Sequence, residues 1–428
     1  MVFHHVFSLF KKENRIKKSD GISPFEALTC ALAGSVGTGN IAGVAGAIII
    51  GGPGAIFWMW VSALFGMATK YAEIVLALKF RGIEEYSGST MEVIIKGLSK
   101  KSYSRILAYL FAFCGVVASF ASGNLVQTNA ICTASLTLFP KASPFIIGIV
   151  FAVLTLISLH GGIERIGKIT GYVVPFMSVL YVLASLLIIV PNASRLPEVL
   201  SLIVRSAFSL PSAVGGVAGF SIMRAFRVGT MRGIFSNEAG IGSAPMAHAS
   251  VSRSVSPVEQ GMVGIFEVFV DTILICSLTA FAILLSGVII PYGNSENASI
   301  SLAIDAFSTV LGHGSSVVFI SVCTILFAFS SVLGWSVYGM KCFSFIFGKR
   351  AMSFYKFIFP LFVIVGATLD TTFAWKTGEN ANAFMAFPNL CALILLAPIV
   401  KKLTLCYTVE HGKQSKWKYN RNKKYNSC

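Results

Sequence analysis

The sequence predicts an all-α, polytopic membrane protein of about ten transmembrane helices, the first and sixth of them broken. Three observations predict it. Hydrophobic residues fill 55% of the 428 positions and mean hydropathy is +0.77, whereas charged residues reach 12%, about half the usual globular share. The apolar residues gather into runs of about 20 or more, the length that crosses a hydrocarbon core of about 30 Å. Two of those runs are interrupted by glycine, asparagine and proline at mid-span. A water-soluble fold with this balance would expose large apolar patches. The same figures exclude disorder, collagen and a small disulfide scaffold.

In order, the spans fall at 22–49, 54–79, 104–137, 144–160, 167–190, 212–250 (broken), 259–290, 315–347, 354–369 and 381–400. The third and eighth exceed one crossing and are expected to tilt or project beyond the lipid. Segment 1–20 precedes them, a membrane domain occupies 21–400 as two halves (21–190 and 212–400), and a basic tail closes the chain at 401–428. Met1 to Phe10 is short and precedes its charges, unlike a secretory signal.

The net charge of +16 is explained by position. Lys11 to Lys18 holds five basic residues and Lys401 to Lys424 holds eight of the 34, both beside apolar spans. With the N-terminus cytoplasmic, the outer gaps carry only Lys141, Arg195, Arg205 and Lys376, and Pro291 to Gly314 has no Lys or Arg. This asymmetry follows the positive-inside rule. It predicts a multi-pass protein of the cell (inner) membrane with both termini cytoplasmic, whose basic flanks meet anionic lipid rather than nucleic acid. The nine cysteines form no CxxC pair, so neither a metal site nor a disulfide frame is expected. No HExxH or GxSxG motif is present, which argues against a membrane-embedded enzyme; no cofactor is called for.

The first interruption reads Ala33-Gly34-Ser35-Val36-Gly37-Thr38-Gly39-Asn40-Ile41-Ala42-Gly43, the second Phe235-Ser236-Asn237-Glu238-Ala239-Gly240-Ile241-Gly242-Ser243-Ala244-Pro245. Glycines alone fit tight helix packing; Asn40 at the same depth favours an unwound stretch. Lipid cannot satisfy the freed N–H and C=O groups, so a ligand, an ion or other protein must. Paired interruptions in matching positions of two halves point to the site of a secondary transporter. Broken helices aim amide ends at a carboxylate and carbonyl ends at a cation, which suits a zwitterion and an alkali ion. A channel would instead need a continuous polar pore.

These two stretches, with Gly51-Gly52-Pro53-Gly54-Ala55-Ile56-Phe57-Trp58-Met59-Trp60, Gly66-Met67-Ala68-Thr69-Lys70-Tyr71-Ala72-Glu73, Phe327 to Ser336 and Met385-Ala386-Phe387-Pro388-Asn389-Leu390, resemble the alanine or glycine:cation symporter family. The resemblance runs from about residue 20 to 400. It implies a LeuT-type fold of two inverted five-helix repeats, and sodium-coupled uptake of small neutral amino acids, alanine and glycine above all, by alternating access. It also implies roles for particular residues. The Gly37-Thr38-Gly39 backbone would hold the substrate carboxylate, with Asn40 shaping the substrate and ion region. Gln127, Asn237, Gly240, Ile241, Ser331 and Trp335 would line the pocket. The Ser330 and Ser331 hydroxyls, with carbonyls at Ala33 and Val36, would bind Na⁺, the coupling ion. A proton-coupled small amino acid carrier and a non-transporting amino acid sensor are the alternatives. Family members carry a further N-terminal span, so residues 1–20 read as its remnant, a truncation or a misassigned start. The stretch Tyr86-Ser87-Gly88-Ser89-Thr90-Met91-Glu92 also departs from the family's Gly-Gly-Pro loop.

Other intramembrane polar groups are functional candidates by default. Glu238 is expected to brace the unwound backbone by accepting N–H bonds. Asp271, with Glu267 one turn before it, is expected to pair with an arginine of the sixth span (Arg224, Arg227 or Arg232). Lys70 and Glu73 are expected to pair with each other. His160 and His248 are expected to be structural, and Trp58 and Trp60 to anchor at the membrane interface.

Overall fold

A computed structural model describes residue 6 and residues 22–82, 89–99, 102–208, 222–293 and 298–417, without side chains at 162–164 and 410–417. The expectations for the N-terminal charges, for Tyr86 to Gly88, for the start of the sixth span and for the tail beyond 417 lie outside these residues.

The described residues form helices and their connections, with one isolated parallel bridge between Ile22 and Val251. Its helices are α1 (Pro24–Ser35), α2 (Gly39–Gly51), α3 (Gly54–Phe80), α4 (Thr90–Gly97), α5 (Ser104–Leu138), α6 (Pro144–His160), α7 (Gly162–Ile189), α8 (Leu196–Phe208), α9 (Ile222–Asn237), α10 (Ala244–His248), α11 (Pro257–Ser286), α12 (Ser299–Leu311), α13 (His313–Phe347), α14 (Met352–Thr368) and α15 (Thr371–Trp417). Among the described residues, seven are long and apolar enough to cross a bilayer. Helices α1 and α2 meet at a 54° bend and together make a broken eighth; α6 and α12 are shorter apolar helices. Helices α5 and α13 each run 35 residues, or about 52 Å at 1.5 Å per residue, as their sequence lengths required.

Local chemistry sets the ends. Ser23-Pro24-Phe25-Glu26 forms a capping box: Glu26 N–H donates to Ser23 Oγ (3.1 Å) and Ser23 N–H to Glu26 Oε2 (2.8 Å). Ser256-Pro257-Val258-Glu259 repeats the device at α11. Proline at the first position loses no hydrogen bond there.

Helices α1 and α13 touch through glycines: a Cβ on Gly334 would lie 2.8 Å from Gly34 N and 3.2 Å from the Ala33 carbonyl carbon. Such small-residue contacts let backbones approach without a hydrophobic driving force. At one end of the bundle, Ile22 N–H donates to Ser250 O (3.0 Å) and Ser252 N–H to Ile22 O (2.9 Å). Arg81 reaches Val251 O (2.6 Å) and Lys341 reaches Met246 O (2.6 Å). These bonds tie the residues before α1, the end of α3 and α13 to the α10 region. Trp58 and Trp60 spend their indole N–H groups inside the protein, on Ala207 O (3.3 Å) and Ser277 Oγ (2.8 Å), so both pack between helices. His160 is exposed, its Nδ1 meets Leu156 O of its own helix (2.8 Å), and its ring lies edge-on to Phe357 of α14.

Candidate functional site

Both interruptions are real breaks, and they face each other. In the first, α1 stops at Ser35 and α2 opens with a π-helical turn, Gly39–Gly43. In the second, α9 stops at Asn237 and α10 starts at Ala244. Between them Glu238, Gly240 and Gly242 take φ values of +56°, +89° and +83°. Glycine adopts that region freely, whereas a side chain there costs about 1–2 kcal/mol. The breaks meet where a Cβ on Gly39 would lie 3.2 Å from Ser236 Cα.

Two further π-helical segments surround the junction, Ala121–Val126 in α5 and Phe269–Cys276 in α11. Such wide turns release backbone groups and re-aim side chains at functional sites. Gln127 follows the first and Asp271 lies within the second.

At the first break, Gly37 N–H donates to Asn40 Oδ1 (2.9 Å) and Thr38 N–H to Gln127 Oε1 (3.3 Å). Thr38 Oγ1 is sealed in with no partner among the described residues. A Cβ on Gly37 would collide with Ser331 Oγ and come within 3.1 Å of Gln127 Oε1. Gly37, Thr38, Gln127 and Ser331 therefore converge on one spot. Ser330 and Ser331 both donate to Phe327 O (2.8 and 3.1 Å), leaving their oxygen lone pairs for another partner. Trp335 lies one turn along α13 and packs on Gly123.

Asn40 is the hub. Its Nδ2 donates to Asp271 Oδ1 (2.8 Å) and Asp271 O (3.1 Å), and its carbonyl accepts from Thr279 Oγ1 (2.8 Å). Asp271 also accepts from Ser236 Oγ and Thr272 Oγ1, both at 2.7 Å. The expected arginine partner is thus replaced by hydroxyls and an amide. Arg224 and Arg227 are exposed, and Arg232 pairs with Glu379 instead (3.3 Å).

The second break is braced differently from the sequence expectation. Glu238 Oε2 accepts from the Ser243 hydroxyl (2.7 Å). The carboxylate that takes a break N–H is that of Glu73: its Oε1 accepts from Gly242 N (3.1 Å) and Asn389 Nδ2 (2.6 Å). Asn389 also holds Gly240 O (2.9 Å) and Thr90 Oγ1 holds Gly242 O (2.6 Å). Glu73 is therefore not the partner of Lys70, which pairs with Glu267 and donates to Asn237 O (2.7 Å). His248 Nε2 meets Glu267 Oε2 (3.0 Å), a structural role as expected.

Three of the anticipated pocket residues are engaged elsewhere. Asn237 accepts from Ala239 N–H (3.0 Å) and donates to Thr272 Oγ1 (3.2 Å). Gly240 faces Leu390 and Thr69, because the left-handed residues around it turn the chain away from the first break. Ile241 is packed in the apolar core that also holds Trp335 and Phe111.

An aromatic lid covers one side. Phe235 and Trp375 lie 4.8 Å apart, and the Arg232 guanidinium sits 3.9 Å over the Trp375 ring. Beyond Trp375 a cavity of about 120 Å³ touches Ala42 and Asn129, and a neighbouring one of about 380 Å³ is lined by Asn129, Thr133 and Ser143. Charged residues at membrane depth were visible in the sequence; the lid gave only one signal, an arginine one turn before the second break.

Residues 1–422 match the family described as the sodium:alanine symporter family. The sodium/alanine symporter AgcS of Methanococcus maripaludis is 41% identical over 401 residues, spanning 93% of this chain and 87% of that protein. Among solved structures, MhsT in complex with L-phenylalanine superposes with a TM-score of 0.64 at 15% identity, over 88% of this chain and 89% of its own. The manganese transporter of Eremococcus coleocola gives 0.60 at 14% identity, over 87% and 78%. Both are LeuT-fold transporters, and the present helices share that fold.

Proposed function

The chain belongs to the sodium:alanine symporter family, a family of multi-pass membrane transporters rather than enzymes, and we propose that it carries small neutral amino acids, alanine and glycine, into the cell together with Na⁺. The single observation that carries this reading is the convergence of Gly37, Thr38, Gln127 and Ser331 at the junction of two broken helices.

In this reading the substrate carboxylate takes the place of Gln127 Oε1 at the Thr38 amide and meets the otherwise unpartnered Thr38 hydroxyl. Na⁺ sits between Ser330, Ser331 and the Ala33 and Val36 carbonyls, an all-oxygen set that suits a hard cation. The close contact of Gly334 with Ala33 and Gly34 supports this site, because it brings the end of α1 against the serine-bearing turn of α13. The two halves, 21–190 and 212–400, act as inverted repeats, with the basic end of the bundle and both termini cytoplasmic. The bonds joining Ile22, Arg81 and Lys341 to the α10 region close the inner side. The Phe235–Trp375 lid closes the outer side.

One charge crossing 100 mV yields about 2.3 kcal/mol, and a tenfold Na⁺ gradient adds about 1.4 kcal/mol. One ion per substrate thus sustains accumulation of about several hundredfold.

Reconstituted protein is expected to take up labelled alanine only when Na⁺ is outside; uptake that persists with choline at fixed pH would refute the sodium assignment. Ser331→Ala removes one hydroxyl from a cation, a contact worth about 1.5–3 kcal/mol. The Na⁺ concentration for half-maximal uptake should therefore rise at least about tenfold, and an unchanged value would remove Ser331 from the ion site. Trp375→Ala removes one aromatic contact and one cation–π contact, together about 2 kcal/mol. Bound alanine is expected to dissociate about thirtyfold faster, as read by washout of the radioligand, with little change in maximal binding.

A further inference from the structure

Helix α9 ends at the second break, and the carbonyl end of a helix attracts cations. Its last carbonyl, Asn237 O, accepts from the Lys70 ammonium at 2.7 Å. Lys70 is also ion-paired with Glu267. The same Glu267 oxygen accepts from Ser35 Oγ (3.4 Å), at the end of α1. Both charged side chains are about 1% exposed. The other Glu267 oxygen receives His248 Nε2–H (3.0 Å), and His248 Nδ1 accepts from Gln260 Nε2 (2.8 Å).

The Asn237 carbonyl of the second broken helix and the Glu267 carboxylate of α11 make an oxygen cage for a cation, and the Ser35 hydroxyl ties the end of the first broken helix to the same carboxylate. Here a protein ammonium sits at its centre. Ammonium and alkali ions carry the same charge, but the lysine is tethered and cannot be released with the substrate. We propose that Lys70 is a built-in, non-transported cation at the second break, so that a single Na⁺ accompanies each substrate molecule. This rests on the sodium-symport reading above and fixes its stoichiometry.

The test uses the full chain in proteoliposomes. For the wild type, alanine uptake should depend on Na⁺ with a Hill coefficient of about one, and one charge should cross per alanine at any imposed voltage. A Hill coefficient of about two with two charges per alanine would overturn the proposal while leaving sodium symport standing. Absence of any Na⁺-dependent alanine uptake would instead overturn the symport reading.

Lys70→Ala supplies the second arm. Uptake should fall about tenfold or more, because Glu267 is left buried without its partner. Ammonium or methylammonium, which fit the vacated cage, should restore it, whereas tetramethylammonium, which cannot donate a hydrogen bond, should not. Sodium itself should enter the same cage and make the variant's Na⁺ dependence sigmoidal. Full uptake by Lys70→Ala with an unchanged Na⁺ dependence would overturn the proposal. If the variant does not insert, the wild-type charge count decides alone.

Discussion

Asn40→Ala is expected to abolish Na⁺-dependent alanine uptake. Asn40 is fully buried and holds three groups at once: the Gly37 amide through Oδ1 (2.9 Å), the Asp271 carboxylate through Nδ2 (2.8 Å), and Thr279 through its carbonyl. Truncation keeps the backbone bond and loses the other two. A hydrogen bond to a buried charge is worth about 1.5–3 kcal/mol, and a neutral donor left unpaired costs about 1–3 kcal/mol more. Together these correspond to a loss of alanine affinity of about a hundredfold or more, measured by radioligand binding in detergent. Thr279→Val, which removes only the outer hydroxyl, serves as the control and should cost about tenfold or less. Equal affinity for Asn40→Ala and wild type would mean that the first break is shaped by its glycines and not by this side chain.

Glu73→Leu is expected to prevent accumulation of folded protein. Its Oε1 receives Asn389 Nδ2 (2.6 Å) and Gly242 N–H (3.1 Å), and the side chain is buried. Leucine fills a similar volume but orphans both donors inside the bilayer, at about 1–3 kcal/mol each. It also loosens a turn already strained by Glu238 at φ +56°. Glu73→Gln keeps a carbonyl oxygen for the same two donors and should accumulate and bind alanine within about threefold of wild type, since a neutral acceptor replaces a charged one. The comparison is read from the monodisperse fraction after solubilisation. If leucine is tolerated as well as glutamine, the second break holds its shape without this acceptor, and Asn389 and Thr90 suffice.

Much of the fold could be read from residue order because the bilayer leaves few options. An apolar run of about 20 residues must be a helix there, so the long apolar helices were legible from hydropathy, although the described residues give seven and a broken eighth where ten spans were expected. A cluster such as Gly37-Thr38-Gly39-Asn40 weakens a helix where no water can repair it, so both breaks were visible too. What stayed hidden were pairings across the chain. Lys70 and Glu73 are three residues apart and share a helix face, which made them look like partners. In the folded protein both point at the second break and are claimed by groups far away in sequence, Glu267 for one and Gly242 with Asn389 for the other. Asp271 looked as if it needed an arginine, yet Asn40, Ser236 and Thr272 supply the donors.

The amino-acid order by itself determined that this protein lives in lipid, which of its segments form long apolar helices, and at which two places they come apart. These are local consequences of side-chain transfer energy and backbone conformational preference. Only the tertiary structure decided which buried polar group answers which. A charge in a low-dielectric interior takes whatever donors the packed helices present to it. That arrangement arises from contacts more than a hundred residues apart, as between Lys70 and Glu267, and no local pattern encodes it.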